Sequence, residues 1–377
     1  MDAVGYVWNY GVVFLVVLTV LVFVHELGHY WVARRNGVRV EVFSIGFGPE
    51  LFGFNDRAGT RWKFSAVPLG GYVKMFGDAD AASRPDFRLD DLPPEERARS
   101  FYHQSLGSRA AIVAAGPAAN FAFAIVALAL LFTVYGQPFT APVIEEVSPD
   151  GAAAEAGLLP GDRVLSIDGQ TIERFEDITQ LVVQYPGRPL ALVVQRDGLE
   201  VPVTVTPRTV EVEDRFGNTH TIGRIGVLRG ADEFKKRDPL SAVWYAGKET
   251  LSLTLGTLKA VGQMISGTRG TDELGGPLRI AQMSGEVAQT GFVALVWFVA
   301  ILSINLGLIN LFPIPMLDGG HLLFYGIEAV RGRPLGERAQ EYGFRIGLAL
   351  VLTLMVFATW NDLVHLRVVQ FFVDVLS

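Results

Sequence analysis

Three ionisable groups close an apolar run that is otherwise suited to lipid: His25, Glu26 and His29, within "LVFVHELGHYWVARR". Gly11 to Val24 carries no charge and is mostly Val, Leu and Phe, and the uncharged stretch reaches back to Val4. From about Trp8 to Ala33 the pattern is long enough for a bilayer, which takes ~20 residues of helix. An ionisable group at the centre of such a span costs roughly 2.5–3.5 kcal/mol on insertion scales. Three of them need a compensating partner. A signal peptide does not fit, because Asp2 stands in place of a basic leader and no small-residue cleavage site follows. The segment is expected to stay in the mature chain.

The spacing supplies the partner. At about 100° per residue, His29 lies about 40° around the helix from His25 and one turn along it, with Glu26 on the same face. His-Glu-x-x-His on a helix is a zinc-peptidase pattern: two imidazoles bind Zn2+ and the Glu between them is the general base. The bland alternative is a polar helix end reaching toward lipid headgroups.

Hydrophobic residues make up 50% of the 377 and charged residues only 19%, so part of the chain belongs in a membrane. The formal net charge of −7 argues against a nucleic-acid partner. Without cysteine, any metal must take His, Asp or Glu. Four spans are expected: about 8–33, then Ala110 to Gly136, then about Gly291 to Phe312, and a short fourth at about Ile346 to Trp360, which borrows a turn from Glu341–Arg345. A polar tail is expected from Asn361-Asp362. Arg34, Arg35 and Arg39 follow the first span, Arg97, Arg99 and Arg109 precede the second, and Arg331, Arg333, Arg338 and Arg345 lie between the third and fourth. The positive-inside rule makes these loops cytoplasmic, with both termini and the long 137–290 region extracytoplasmic.

Residues 141–208 read as a small β-rich domain with turns at Pro160-Gly161-Asp162 and Asp168-Gly169. "AGLLPGD" followed by "IDG" resembles a bacterial PDZ domain, which takes an extended peptide by strand addition. That resemblance places a peptide groove between strand Val143–Val147 and helix Phe175–Gln184, with Val143 and Ile144 as candidate substrate contacts. A spacer that binds nothing is the alternative. Residues 240–265 carry apolar side chains at helical spacing, for a helix lying on the membrane surface or one packed on the PDZ-like domain. In "TRWKFSAVPLGGYVKMF", alternation about a Gly-Gly turn predicts a membrane-associated β-hairpin over 61–76. It serves as an anchor, or as an edge strand offered to a substrate through Phe64 and Ala66.

A catalytic zinc usually wants a third protein ligand. "INLGLINLFPIPMLDGGHLLF" ends the third span with Asn310, Pro313, Pro315 and Asp318. The prolines must break the helix, and irregular backbone at membrane depth survives where it lines a cavity. Asp318 is a candidate ligand, His321 a rival, and a helix N-cap the bland role for Asp318.

Taken together, HELGH at 25–29, "GFGP" at 46–49, "GPAANF" at 116–121, the PDZ signature and Asn310-x-x-Pro313-x-x-x-Leu317-Asp318-Gly319 resemble the site-2 protease family of intramembrane zinc metalloproteases. The resemblance runs over nearly the whole chain. It implies that His25, His29 and Asp318 hold zinc, that Glu26 is the catalytic base, and that Asn310, with Pro313 in its motif, helps hold the substrate backbone. It also implies a multi-pass protein of the bacterial inner membrane with a periplasmic PDZ domain. The implied substrates are single-span proteins, an anti-sigma factor already trimmed by an extracytoplasmic protease or leftover signal peptides. One departure is that the best-known members carry two PDZ domains and this chain shows one. A membrane-tethered peptidase acting on soluble peptides, and a non-proteolytic PDZ scaffold or metal transporter, stand as rival readings.

The expected fold is thus a polytopic α-helical membrane protein of about four transmembrane helices, with an inserted PDZ-like β/α domain and a cytoplasmic hairpin. Its parts would be a first span with HExxH at 1–36, a cytoplasmic loop at 37–108, a second span at 109–136, the PDZ domain at 141–208, and a linker with an amphipathic helix at 209–290. A third span at 291–317 leads to the Leu-Asp-Gly motif. A cytoplasmic connection at 318–345 and a fourth span with a tail at 346–377 complete the chain.

Overall fold

The computed structural model describes residues 7–78, 93–213, 219–230, 233–267 and 275–365. Among the described residues, four helices are long and apolar enough to cross a membrane: Tyr10–Arg35, Leu106–Val134, Phe292–Asn310 and Arg338–Val364. They fall where the four spans were expected. The chain forms two compact units, one of residues 131–240 and one of the remainder.

In the larger unit, α1 (Val13–Arg35) continues from a π-helical turn at Val7–Val12 and leads into β1 (Val40–Asn55) and β2 (Arg61–Met75). Both strands bend and pair twice. Phe43 is in register with Trp62 and with Val73, while Phe54 also pairs with Trp62 and Asn55 with Arg61. Across the sheet the order is therefore 50–55, 61–65, 42–45, 71–75. This corrects the expected 61–76 hairpin, because its two arms flank 42–45 and not each other. The aromatic alternation of 61–64 has its match upstream: Phe43 stacks on Trp62 at 4.2 Å between centroids and Phe52 on Phe64 at 4.4 Å. Gly46, Gly48 and Gly70, with φ of 91°, 86° and 131°, supply bends that side-chain-bearing residues resist.

The turn between β1 and β2 is built on Asp56. Its carboxylate accepts Tyr30 Oη–H at 2.8 Å, Trp62 Nε1–H at 3.1 Å and the backbone N–H groups of Ala58 and Thr60 at 2.8 and 2.9 Å. Burial works against its ionisation, but these donors outweigh it and hold its pKa at about 2, below the ordinary 3.8. The chain then enters α2 (Leu106–Val134), which carries Pro117 in its interior.

The 131–240 unit is β-rich. β3 (Gln137–Phe139), β4 (Ile144–Val147), β5 (Arg163–Ile167) and β6 (Gln170–Thr171) precede α3 (Phe175–Gln184). β7 (Leu190–Arg196), β8 (Leu199–Val205), β9 (Arg208–Glu213), β10 (Thr219–Arg224), β11 (Val227–Arg229) and β12 (Glu233–Lys235) follow. The main sheet has the order β6-β5-β7-β8. Asp168-Gly169 and Asp197-Gly198 turn its hairpins with positive φ at both residues, as two-residue hairpin turns require. Asp162 of the Pro-Gly-Asp turn is buried and receives two N–H groups of Arg196 at 2.8 and 2.7 Å, which keep its carboxyl below the usual range.

The domain expected to end at 208 continues further. β11 pairs with β4, Val227 opposite Val147, and Ile225 belongs to the same core as Ile144 and Ile178. The groove moves accordingly. A cavity of about 660 Å³ opens between α3 and the 222–228 segment, lined by Phe175, Ile178, Val182, Ile222, Gly226 and Leu228. Val143 instead bridges to Arg163, and Ile144 is 1% exposed in the core. β11 has taken the position along α3 that was expected of β4, because it adds to β4 and supplies the strand wall itself.

After this unit come α4 (Pro239–Ile265), α5 (Pro277–Thr290), α6 (Phe292–Asn310), α7 (Asp318–Arg331) and α8 (Glu337–His365). On α4 the buried positions are the small Ala242, Ala246 and Thr250, while the apolar stripe, including Leu240, Trp244, Leu251 and Leu255, is exposed. The fourth span is longer than expected, since its helix starts at Glu337, with Arg345 and Glu341 paired at 2.7 Å one turn apart. Asp362 does not begin a polar tail. It is 1% exposed and accepts the backbone N–H groups of Gly276, Leu278 and Arg279 at 2.8, 3.0 and 3.0 Å, capping α5. The expected tail beyond 365 lies outside the described residues.

Candidate metal centre

α1 presents His25 and His29 on one face, both buried, at 9% and 8% exposure. The face can be buried because its neighbour on α2 is stripped of side chains. A Cβ on Gly116 would lie 2.5 Å from His29 Cε1 and 2.8 Å from His25 Cε1. Gly28 gives the reciprocal approach, since a Cβ there would meet Ala119 Cβ at 2.7 Å and strike the Ala115 carbonyl. The "HELGH" and "GPAANF" glycines thus let two helices come within reach of each other's backbone.

Asp318 arrives from the other side. α6 ends at Asn310, Pro313 and Pro315 prevent its continuation, and the chain turns through Met316, whose φ of 90° is strained for a side-chain-bearing residue. Asp318 is the first residue of α7, and Leu317 before it makes no side-chain cap. Gly319 and Gly320 follow because a Cβ on either would collide with the carbonyls of Leu311, Phe312 or Ile314. The Asp318 carboxylate caps no helix. It faces the histidines, with Oδ2 at 3.2 Å from His25 Nε2 and 3.5 Å from His29 Nε2.

The two Nε2 atoms are themselves 3.2 Å apart. His29 Nδ1 lies 2.9 Å from the Ile112 carbonyl, which can only accept, so that nitrogen carries a proton, and on the neutral ring Nε2 keeps its lone pair. Asp318 Oδ2 is buried and takes no hydrogen bond. Electron-pair donors buried against one another are costly unless a cation joins them. The three donor atoms lie within 4.8 Å of one another, the one such His/His/Asp group among the described residues. Their 3.2–3.5 Å separations suit a tetrahedral ion with bonds of about 2.0–2.1 Å, and the nitrogen–oxygen donor set is a zinc-type set.

A pocket of about 240 Å³ opens on this group. Glu26, Asn310, Met316 and His321 line it, as do Gly71, Tyr72, Val73 and Met75 of β2. His321 packs its ring on Phe344 and is not one of the converging donors. Phe64 and Ala66 do not line the pocket. Phe64 is committed to its stack on Phe52, Ala66 is exposed, and the sheet order brings 71–75 to the pocket instead. Pro313 is exposed and is not among the residues lining the pocket. The α2 face of Ile112, Gly116 and Asn120 was not anticipated. Its signal was an amide, Asn120, inside an otherwise apolar, uncharged span.

An HExxH helix whose histidines meet a carboxylate, with the intervening glutamate in the same pocket, is the arrangement of a metal-dependent peptidase. Comparison with known proteins agrees. Residues 13–354 match the family described as Peptidase family M50. A Rhizobium meliloti protein named "Putative zinc metalloprotease" is 50% identical over 355 residues, covering 93% of this chain and 95% of its own. Metalloprotease MmpA of Caulobacter vibrioides is 39% identical over 382 residues, covering 95% and 96%. Regulator of sigma-E protease RseP of Escherichia coli is 35% identical over 450 residues, covering 93% and 97%. The solved PDZ domain of an SdrC-like protein from Listeria monocytogenes aligns with 25% of this chain and 90% of its own, at 16% identity and a TM-score of 0.19, too low to bear on the fold. The chain belongs to peptidase family M50, the site-2 proteases, and is a metalloprotease.

Proposed function

We propose that this chain is a zinc-dependent endopeptidase that hydrolyses peptide bonds inside transmembrane segments of single-span proteins. The observation that carries the reading is one pocket that holds His25, Glu26 and His29 of a helix apolar enough to cross a membrane together with Asp318, which follows the end of another such helix, α6. His25, His29 and Asp318 hold the ion. Zinc held there supplies Lewis acidity to the scissile carbonyl and to water near neutral pH. Glu26, outside the donor group, takes the proton of the attacking water at its carboxylate and returns it to the leaving amine. Asn310 lines the same pocket, within the reach of a substrate's backbone amide.

A transmembrane substrate hides its peptide bonds in its own helix. Unwinding a stretch leaves polar groups in hydrocarbon, at several kcal/mol each. The 71–75 edge offers a remedy, because among the described residues no strand covers its pocket side. An unwound substrate adds there as a strand and recovers its hydrogen bonds. The 131–240 unit acts as a PDZ-like domain, with its cavity beside α3 taking an extended peptide. The natural substrates on this reading are an anti-sigma factor trimmed beforehand by an extracytoplasmic protease, and remnant signal peptides; the name of the Escherichia coli relative, a regulator of sigma-E protease, supports the first. The setting is the bacterial inner membrane, with the PDZ-like unit and both termini periplasmic.

The test is cleavage of a labelled single-span substrate by the purified chain in a bilayer, with the cut site mapped by mass spectrometry. A cut within the span, abolished by chelator and restored by zinc, is expected. Equal turnover of soluble peptides with no cut inside the span would overturn the reading. Orientation is tested with single cysteines at Ala58, in the turn between β1 and β2, and at the exposed Glu200, in a chain that has none of its own. An impermeant thiol reagent outside the inner membrane should label position 200 and not 58, and the reverse would invert the topology.

A further inference from the structure

The α2 helix contributes no candidate ligand, yet it touches both histidines on their far sides. Ile112, Gly116 and Asn120 are spaced four apart and so form one face. At one end the Ile112 carbonyl holds His29 Nδ1 at 2.9 Å. At the centre Gly116 leaves room for both rings. At the other end the Asn120 side-chain amide sits 3.1 Å from His25 Nδ1.

Asn120 is fully buried, and its position is fixed from a third helix. Ser303 Oγ–H donates to the Asn120 backbone carbonyl at 2.9 Å. A Cβ on Gly307 of α6 would lie 3.3 Å from Asn120 Cβ and 3.1 Å from the Pro117 carbonyl, so α6 presses directly on this residue. Such a site is an expensive place for an amide unless the amide has a task.

The amide orientation carries the argument. As placed, Nδ2 is the atom facing His25 Nδ1, while Oδ1 is buried without a hydrogen-bond partner. Amide oxygen and nitrogen exchange places by a half-turn of the side chain. His25 Nε2 is the nitrogen that converges with His29 and Asp318. Once that nitrogen gives its lone pair to a metal, Nδ1 of the same ring must carry the proton and needs an acceptor. The unpartnered Oδ1 is the acceptor within reach.

We propose that Asn120 is a positioning residue for the metal centre: its side-chain carbonyl accepts the Nδ1 proton of His25, selecting the tautomer and ring angle that direct Nε2 at the ion. The backbone carbonyl of Ile112 does the same for His29, so one face of α2 orients both imidazoles. A neutral acceptor suits the place. It orients the ring without adding a third carboxylate to a low-dielectric pocket that already holds Glu26 and Asp318. The inference rests on His25, His29 and Asp318 being the ligands.

The experiment measures zinc retention by the full-length protein against a graded zinc chelator, in wild type, Asn120→Leu and Asn120→Asp. Leucine keeps the volume and removes the acceptor, and aspartate keeps the acceptor. Asn120→Leu should release zinc at about 10–100-fold lower chelator strength, the usual cost of losing a partner that orients a ligating histidine. Asn120→Asp should hold zinc better than Asn120→Leu, short of wild type by the cost of a third buried carboxylate. A purely packing role would instead lower the thermal stability of the zinc-free forms and leave zinc affinity alone. Retention of zinc by Asn120→Leu as in wild type, or its loss from Asn120→Asp as readily as from Asn120→Leu, would overturn the proposal. Should the leucine variant fail to fold, nitrogen NMR of zinc-loaded wild type with labelled histidine decides. A protonated, exchange-protected His25 Nδ1 supports the assignment and an unprotonated one overturns it. Wild type that binds no zinc would refute the ligand set itself, a result distinct from zinc binding that ignores residue 120.

Discussion

Adding one methyl group at Gly116 separates the metal centre from the rest of the fold. In Gly116→Ala the new Cβ starts 2.5 Å from His29 Cε1 and 2.8 Å from His25 Cε1. Carbon atoms rest at about 3.5–4.0 Å, so the rings or the helix must retreat by roughly 1 Å. The rings cannot turn aside cheaply, because Ile112 and Asn120 hold them from the same helix. Overpacking of this kind costs about 1–3 kcal/mol. Alanine regains about 0.8–1.0 kcal/mol of helix propensity over glycine. Net stability should therefore fall by at most about 2 kcal/mol, and the chain should still fold. Zinc should not survive as well. Metal–ligand distances tolerate about 0.2 Å, and a displacement of roughly 1 Å removes a donor outright. The assay pairs zinc content after chelator titration with cleavage of a single-span substrate. We expect a folded protein that has lost most of its zinc affinity and its activity. Wild-type zinc affinity in a folded Gly116→Ala protein would show that α2 does not set the histidine geometry.

Three further outcomes follow from the site and the sheet beside it. Glu26→Gln should lower cleavage by about 10²–10⁴ while leaving one zinc per chain, as metal analysis would show; loss of zinc would make Glu26 a ligand. Asp318→Asn should abolish cleavage and lower zinc occupancy, whereas His321→Ala should keep zinc, and X-ray absorption that finds three imidazole nitrogens in wild type and two in His321→Ala would reverse the assignment. Asp56 makes the β1–β2 turn acid-sensitive: its folded pKa of about 2 lies below the ordinary 3.8, so its contribution is whole above 3.8 and fades as pH falls toward 2. Thermal unfolding across that window should lose stability more steeply in wild type than in Asp56→Asn, and equal slopes would remove Asp56 from the account.

The sequence by itself determined the chemistry and the apolar framework. HELGH can place two imidazoles and a carboxylate on one helical face wherever that helix goes, because the spacing of one turn is local. The four spans were legible because length and uncharged composition are local as well, although the polar first turns of α8 hid its true start at Glu337. Pro313 and Pro315 announced a break, and Asp318 beyond it announced a site. The turn at Asp168-Gly169 was equally local, being set by residues that tolerate positive φ.

Only the tertiary structure decided what meets what. Two strands of alternating aromatics do not state their partner, so 42–45 came between the arms expected to pair, and the 71–75 edge became the pocket wall in place of Phe64 and Ala66. β11, far along the chain, closed onto β4 and moved the peptide groove off Val143 and Ile144. Asp362, expected in a tail, turned inward to cap α5. Asn120 took on meaning only when α2 was laid against α1. A short motif carries its own angles, whereas the pairing of distant segments depends on which of many similar apolar surfaces pack best, and no single stretch of sequence contains that comparison.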